Sequence, residues 1–123
     1  MKENETNALK KLELLFTVVN MSKAEFYMDL LGSFEVNAQF VLPAAGTIPG
    51  SSGKRSFGIE DTDRAVIVSV IREDRVRAAM NKLEEKFRTV RDGKGIAYTV
   101  PMSGTVGVAI YRFLSNNRKE NQI

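Results

Sequence analysis

Apolar and polar residues alternate with a period of two in three stretches of the chain, and another stretch is apolar on both faces, so four β-strands are predicted. The stretches are 12–19, 34–42, 65–71 and 96–102. Pro43 is expected to end the second strand, because proline cannot donate a hydrogen bond to a ladder. The residues predicted to share a face are Leu12, Leu14, Phe16 and Val18; Phe34, Val36, Ala38, Phe40 and Leu42; and Ile96, Tyr98, Val100 and Met102. The third stretch is β-branched on both faces, as in a strand buried on both sides.

Apolar residues at helical spacing follow the first and third strands. Ser22 and Glu25 form a predicted capping box before the first helix, and Gly32 is expected to end it in a left-handed conformation. Asp74 is expected to cap the second helix, which carries a sustained core stripe to Val90. Segment 106–114 has helical spacing as well, although an edge strand remains the alternative.

Each half of the chain therefore runs strand, helix, strand. The order β-α-β-β-α-β predicts an α+β, ferredoxin-like sandwich with both helices on one face of the sheet. A long central loop, 44–63, joins the halves, and the pattern predicts one domain over 9–114 with flexible termini at 1–8 and 115–123. The face without helices would be apolar, whether strand 1 presents the Leu12 set there or Leu15 and Val19. An apolar exposed sheet face predicts self-association.

Composition narrows the chemistry. The 123 residues are 43% hydrophobic, with a net charge of +3, no cysteine and no histidine. The absence of histidine removes the commonest general base and metal ligand, so neither an enzyme nor a metal site is expected. Basic residues are interspersed with acidic ones, which argues against nucleic-acid binding. No apolar run reaches the roughly 20 residues of a membrane span. A cysteine-free chain fits the cytoplasm.

The loop between the second helix and the last strand is the candidate ligand site. It reads Arg91, Asp92, Gly93, Lys94, Gly95. A lysine beside glycines can meet a phosphate or carboxylate as a point charge while backbone amides form an anion-binding nest. The alternative is that Gly93 and Gly95 only turn the chain, with Lys94 in solvent.

With its two strand-helix-strand halves, its long central loop and Asp92-Gly93-Lys94 before the fourth strand, the chain resembles the PII signalling proteins (nitrogen regulatory P-II family). It is similar to a divergent PII-like branch rather than to the main nitrogen regulators. The resemblance covers about residues 9–102 and implies a homotrimer whose sheets line the centre. It also implies nucleotide binding in clefts between subunits, and a central loop that docks onto a target protein such as a membrane transporter or an enzyme.

Residue by residue, the resemblance makes Gly93 and Lys94 the phosphate-contacting pair, with Arg91 and Gly95 beside them. It implies an effector loop, for which the candidates are Gly46, Thr47, Lys54, Arg55 and Phe57. The family's pair of arginines after strand 4 has no counterpart, since Arg112 is in the wrong register. ATP binding is therefore expected to be weak. The expected ligand is a small anion, with an adenine nucleotide as one candidate, and no cofactor is required.

Two further readings of the function stay open. An enzyme on the same fold would use Asp61 and Asp63 as acid or base, beside Lys54 and Arg55, although both aspartates also suit a turn and a strand end. An oligomeric interaction module without any ligand would use the central loop alone.

Overall fold

A computed structural model describes residues 11–46, 61–107 and 113–115. The elements are, in chain order, β1 (Leu12–Asn20), a 3₁₀ turn (Met21–Lys23), α1 (Ala24–Gly32), β2 (Ala38–Gly46), β3 (Asp61–Arg72), a second 3₁₀ turn (Glu73–Arg75), α2 (Val76–Thr89) and β4 (Gly95–Pro101). This order confirms the predicted α+β, ferredoxin-like arrangement.

The four strands form one sheet in the order β2-β3-β1-β4. Each neighbouring pair is antiparallel, so the long β1 and β3 lie in the middle and β2 and β4 form the two edges. Asn20, Gly46, Asp61 and Gly95 are strand termini that lie at the same end of the sheet. We call this end the loop end, because the central loop and the 91–95 loop both leave the sheet there. We call the opposite end, at Arg72, the distal end.

The hydrophobic core lies between the helices and one face of the sheet. Odd-numbered residues of β1 and β3 point into it, since Leu15, Val19 and Ile67 are fully buried there. Tyr27 and Leu83 bring the apolar stripes of α1 and α2 against them. The helical spacing predicted for both helices is thereby confirmed as a core stripe.

The opposite sheet face has no helix over it among the described residues. Because residues directly opposite each other in an antiparallel ladder share a face, the strand registers arrange this face in rows across all four strands. The rows are Ala38, Val70, Leu14, Val100; Phe40, Val68, Phe16, Tyr98; and Leu42, Val66, Val18, Ile96. We call these residues the open face. The question left by the sequence is thus decided: Leu14, Phe16 and Val18 lie on the open face, and Leu15 and Val19 in the core.

The start of α1 differs from the prediction. The Asn20 side chain, not that of Ser22, accepts the backbone N–H at this turn: Ser22 N donates to Asn20 Oδ1 over 3.0 Å. The expected capping box is wrong because a 3₁₀ turn precedes α1 and moves the cap two residues upstream. Gly32 ends α1 without a left-handed φ, and Glu35 takes that conformation instead, with φ 65°.

The second strand also differs from the prediction. It begins at Ala38, not at residue 34, so Phe34 and Val36 belong to the turn that precedes it. Pro43 does not end the strand, which continues to Gly46. A residue without an N–H is tolerated here because β2 is an edge strand with one side unpaired. Gln39 lies within the strand and its side chain is bonded to Ser69 Oγ and to the Met28 carbonyl, which ties β2 to β3 and α1.

The ends of the predicted central loop are part of the ladder. Residues 44–46 extend β2, and β3 begins at Asp61, four residues before the predicted 65–71 stretch. The remainder of that loop lies outside the described residues. The fourth strand is confirmed with its limits moved by one residue, to Gly95–Pro101.

Asp74 is not at the N-cap position of α2, which is Arg75, and the Arg75 side chain makes no capping bond. The Asp74 carboxylate accepts two hydrogen bonds from Arg72, of 3.0 and 3.2 Å. The same guanidinium lies 3.2 Å from the Glu35 carboxylate. The bond to Asp74 is the main reason that the pKa of Arg72 is raised. The carboxylates at the distal end are therefore organised around Arg72.

The C-terminal segment is described at 103–107 and 113–115. Val106 and Gly107, which begin the predicted helix, are not helical, whereas Phe113 and Leu114 are. The Asn37 side-chain amide donates to the Phe113 carbonyl, and Arg72 donates to the Ser115 carbonyl over 3.4 Å. The end of this segment thus packs on its own chain, at the distal end of the sheet.

Candidate functional site

The 91–95 loop joins the end of α2 to the start of β4. The Val90 N–H still donates to the Lys86 carbonyl over 2.9 Å, and the Gly93 N–H then donates to the Val90 carbonyl over 3.0 Å. Between them, Asp92 adopts a left-handed conformation with φ 57°. Aspartate tolerates that region better than most residues because its short polar side chain can bond locally. The chain therefore turns at Asp92, not at either glycine.

The two glycines are required by close packing. A Cβ on Gly93 would lie 2.8 Å from Val90 Cβ and 2.9 Å from Tyr27 Oη. A Cβ on Gly95 would lie 2.5 Å from the Val18 carbonyl oxygen. Neither glycine has a positive φ. Only glycine fits at both positions without a shift, because neighbouring atoms already occupy the place that a Cβ would take.

Tyr27 of α1 is bonded to this loop from the core. Its hydroxyl donates to the Gly93 carbonyl over 2.6 Å, in a buried contact between residues far apart in the chain. The Tyr27 side chain is fully buried, and burial raises the pKa of its hydroxyl, which keeps it in the donating, protonated form. Sequence reasoning missed this residue, because a tyrosine on an apolar helix stripe has the pattern of an ordinary core residue.

The charged side chains of the loop point away from the core. Arg91, Asp92 and Lys94 are exposed, whereas Gly93 is buried. The N–H and carbonyl of Gly93 are both engaged within the protein. An anion that approached this loop would therefore meet the side chains of Lys94 and Arg91 before any contact with Gly93.

The central loop leaves β2 after Gly46 and returns to β3 at Asp61, and both points lie at the loop end of the sheet. The 91–95 loop lies at the same end, but beside β4, at the edge opposite β2. Gly46 ends edge strand β2, and Gly95 begins edge strand β4. Three strand spacings separate these edges, or roughly 14 Å. One chain therefore does not bring Gly46 next to Lys94. The other proposed effector-loop residues, Thr47, Lys54, Arg55 and Phe57, lie outside the described residues.

An apolar cavity of about 160 Å³ lies beside the base of the central loop. Val18 and Val66 of the open face line it together with Ala44, Gly46 and Arg64. Arg64, which is half-buried, is the one charged residue among the described residues that line it. Arg64 is not among the residues predicted from the sequence. Its position just before a buried β-branched stretch, where the central loop returns, is the sequence signal for it.

A second groove, of about 320 Å³, runs between α2 and the outer edge of β4. Leu83, Phe87 and Ala97 line it, and it reaches Gly95. It lies on the helix side of the sheet, away from the open face.

Of the residues that an enzyme on this fold would use, the structure describes the side chain of Asp63. Asp63 is exposed near the start of β3, and the Asp61 side chain lies outside the description, as do Lys54, Arg55 and Arg112. Within residues 11–46, 61–107 and 113–115, no three acidic residues come together in a group that could hold a metal ion. None of the helices in that part of the chain combines the length and the apolar character needed to cross a bilayer.

Comparison by sequence gave no match to any family model or to any curated protein. Comparison of the structure with solved structures gave matches to PII-like proteins and to CutA1 proteins. CPII, a nitrogen regulatory PII-like protein from Thiomonas intermedia K12, superposes with a TM-score of 0.62 and 20% identity over 82% of this chain and 93% of that one. Its solved forms include one bound to ADP and bicarbonate, one bound to ADP, AMP and bicarbonate, and an apo form.

CutA1 proteins have the same fold. CutA1 from Oryza sativa superposes with a TM-score of 0.65 and 10% identity, over 89% of this chain and 94% of that one. The divalent ion tolerance protein CutA1 from Ehrlichia chaffeensis gives a TM-score of 0.65 and 13% identity, over 89% and 95%. The chain thus has the fold shared by PII-like and CutA1 proteins.

Proposed function

We propose that this protein is a PII-like, non-enzymatic regulator that acts in the cytoplasm as a homotrimer. It binds a small anionic effector, such as an adenine nucleotide, in clefts between subunits. Its central loop then regulates a target protein, for which a membrane transporter and an enzyme are the two candidate classes. No nucleic acid takes part, and the protein is not itself inserted in a membrane.

The observation that carries this proposal is the placement of the two loops. Both leave the sheet at the loop end, but at opposite edges, roughly three strand spacings apart. Gly46 and Lys94 of one chain lie too far apart to touch one small ligand, so a cleft that uses both would have the β2 edge of one subunit beside the β4 edge of another. This supports an intersubunit site over a site within one chain.

The trimer is proposed to form through the open face. Phe40, Leu42 and Tyr98 expose 61%, 52% and 48% of their surface there. Large exposed apolar patches mark association sites, and burying them between copies of the chain removes them from water. Since the open face reaches the loop end at Leu42, Val18 and Ile96, assembly through it brings the loops of neighbouring subunits together.

The chemistry at the loop end suits a nucleotide. The cavity beside Gly46 has apolar walls to which Arg64 contributes, and such walls fit a planar apolar ring. Lys94 and Arg91 add positive charge on the other loop, with Gly93 and Gly95 shaping it. That CPII binds ADP and bicarbonate on this fold supports both ligand classes.

The signal is proposed to pass through the central loop, from Gly46 through Thr47, Lys54, Arg55 and Phe57. A ligand shifts a loop between two arrangements only by as much as it binds one of them more tightly. Contacts of the ligand with the base of the loop, at Gly46 and Arg64, would supply that difference in affinity.

The decisive experiment is calorimetric titration of the intact protein with ADP, AMP and bicarbonate, each added separately. Lys94→Ala should weaken ADP binding about tenfold, since a charge-assisted contact contributes roughly 1.5 kcal/mol. Lys11→Ala is the matched control, because Lys11 is also an exposed lysine but lies at the distal end, just before β1. Equal affinities for Lys94→Ala and the unchanged protein would overturn the assignment of Lys94.

The second candidate is an oligomeric interaction module without ligand. It is favoured by one observation: the N–H and the carbonyl of Gly93 are already paired with Val90 and Tyr27. Under this reading, none of the three ligands would give a binding signal, and deletion of residues 47–60 would abolish capture of the target while the oligomer persisted. Turnover that depended on Asp61 and Asp63 would instead support the enzyme reading.

A further inference from the structure

We infer that Tyr27 is a positioning residue for the 91–95 loop, holding through its hydroxyl the backbone conformation that presents Lys94 to a ligand. This inference rests on the proposed function for its consequence in binding. Its structural part, the hold on the loop, stands independently of any ligand.

The hydroxyl of Tyr27 has a fixed position. The side chain is fully buried, and its ring contacts Phe26 edge-on, with centroids 5.0 Å apart, and Phe87 at 5.5 Å. Phe26 is the neighbour of Tyr27 on α1, and Phe87 belongs to α2, so the ring is packed against α2. The hydroxyl therefore acts as a rigid donor aimed at the loop.

The loop is seated against that donor. The Gly93 carbonyl accepts the Tyr27 hydrogen bond, and the Gly93 N–H donates to the Val90 carbonyl. On the same residue, a Cβ would approach Tyr27 Oη to 2.9 Å, so only glycine allows this close contact. Gly93 is thus held on both of its peptide groups.

The backbone conformation of the loop at Asp92 requires stabilising contacts. Asp92 has φ 57°, a conformation that is unfavourable for a residue with a side chain and that persists when its surroundings determine it. Asp92 and Lys94 flank Gly93, and both are exposed. Fixing Gly93 from the core therefore fixes the backbone on both sides of it, including that of Lys94, whose side chain would meet an anion.

A purely structural role for Tyr27 would be served as well by phenylalanine. The hydroxyl is the part that packing does not explain, because a buried polar group is costly unless it is bonded. Its partner is a carbonyl of the proposed ligand loop, which would lose this donor in the variant. The variant Tyr27→Phe keeps the ring and removes only that bond.

The first test is amide hydrogen exchange of the ligand-free protein, followed by NMR. In Tyr27→Phe the Gly93 amide should exchange roughly tenfold faster, as expected for the loss of one buried hydrogen bond. The Leu83 amide, in the middle of α2, should not change. Ser69→Ala is the matched control, since it also removes a buried hydroxyl donor, but one that bonds to Gln39. Unchanged Gly93 exchange in Tyr27→Phe would overturn the inference.

The second test is calorimetric titration of the same variants with ADP. Tyr27→Phe should weaken ADP binding about fivefold to tenfold, and adding Lys94→Ala should cause a smaller further loss than it does alone, because the two residues act through one loop. Faster Gly93 exchange combined with unaltered ADP affinity would overturn the role in binding. If the unchanged protein does not bind ADP, the nucleotide proposal fails, and the exchange result alone decides whether Tyr27 holds the loop.

Discussion

Gly95 begins β4 and lies close to both β1 and α2. A methyl group there would lie 2.5 Å from the Val18 carbonyl oxygen, 2.7 Å from Val19 Cγ1 and 3.0 Å from Phe87 Cε1. The nearest of these atoms belongs to the backbone of a central strand, which cannot move without disturbing the ladder. Packing alone is therefore a sufficient reason for glycine at this position.

Replacing Gly95 by alanine should destabilise the protein by about 1–3 kcal/mol, the range for overpacking a well-filled core. Gly32→Ala is the matched control, because its Cβ would meet nothing within 4 Å and its φ is not positive. Gly32 ends α1, where alanine is the better helix former, so that variant should be as stable as the unchanged protein or slightly more so. Urea denaturation measures both changes. Equal stability of the two variants would show that the β4 backbone shifts freely at Gly95.

At the scale of elements, the 3₁₀ turn between β1 and α1 explains why Asn20, and not the predicted Ser22, is the capping residue. Ser22 and Glu25 have the spacing of a capping box, yet Asn20 Oδ1 receives both the N–H and the hydroxyl of Ser22. The ladder holds Asn20 opposite Arg64, and the chain turns directly after it. The last residue of the strand, and not the first residues of the helix, therefore supplies the side chain that caps the 3₁₀ turn before α1.

Asn20→Ala should cost about 1 kcal/mol of stability, the usual value for loss of a capping side chain. Ser22→Ala should cost less, because the Ser22 N–H keeps its acceptor on Asn20. Thermal and urea denaturation of the two variants compares them directly. A larger loss for Ser22→Ala than for Asn20→Ala would restore the capping box as the signal that starts α1.

At the scale of the whole molecule, the open face is the largest feature that one chain leaves unexplained. Phe16 and Tyr98 stack on it with ring centroids 5.2 Å apart and planes 9° from parallel. Phe40 extends the same row to the β2 edge. The Arg64 cavity opens at one end of this face. A partner that covers the open face would therefore also close one wall of the proposed ligand site.

Phe40→Asp should break the assembly. We expect the unchanged protein to have a mass near three times that of the 13.7 kDa chain, and the variant to have the mass of one chain. A carboxylate placed in an interface must lose its hydration without gaining a partner, whereas in a monomer it stays in water. Light scattering after gel filtration measures both masses.

Phe26→Asp is the control for this change. Phe26 is likewise an exposed phenylalanine, at 40%, but lies on α1, on the other side of the sheet. This variant should keep the mass of the unchanged protein. If the unchanged protein has the mass of a single chain, the trimer proposal fails, and if Phe26→Asp dissociates in place of Phe40→Asp, the interface lies on the helices.

Periodicity predicted the number, order and type of the main elements, because strands and helices leave local repeats of two and 3.6 residues. It also predicted that Phe40 and Leu42 share a face. The same alternation could not place the start of β2, because Phe34 and Val36 continue the pattern although they belong to the turn after α1. It could not predict that β2 passes through Pro43, since that depends on β2 being an edge strand.

The candidate loop was predicted in its position, while its internal arrangement was not. The sequence pointed to residues 91–95 through two glycines and a lysine, all of them local signals. The left-handed turn at Asp92 and the close packing of Gly93 against Val90 could not be predicted from the sequence. The bond from Tyr27 to Gly93 joins residues 66 positions apart, and no local pattern reports such a contact.

By itself, the sequence determined a β-α-β-β-α-β chain with an apolar sheet face and a charged glycine loop, because these follow from the order of side chains along the backbone. Only the tertiary structure decided which β1 residues form the open face, that Arg64 joins the loop end, and that Gly46 and Lys94 lie at opposite edges of one sheet. Those outcomes depend on strand order and register, which arise from contacts between distant segments. For that reason the proposal of a cleft between subunits rests on the positions of Gly46 and Lys94 in the fold and not on the motif.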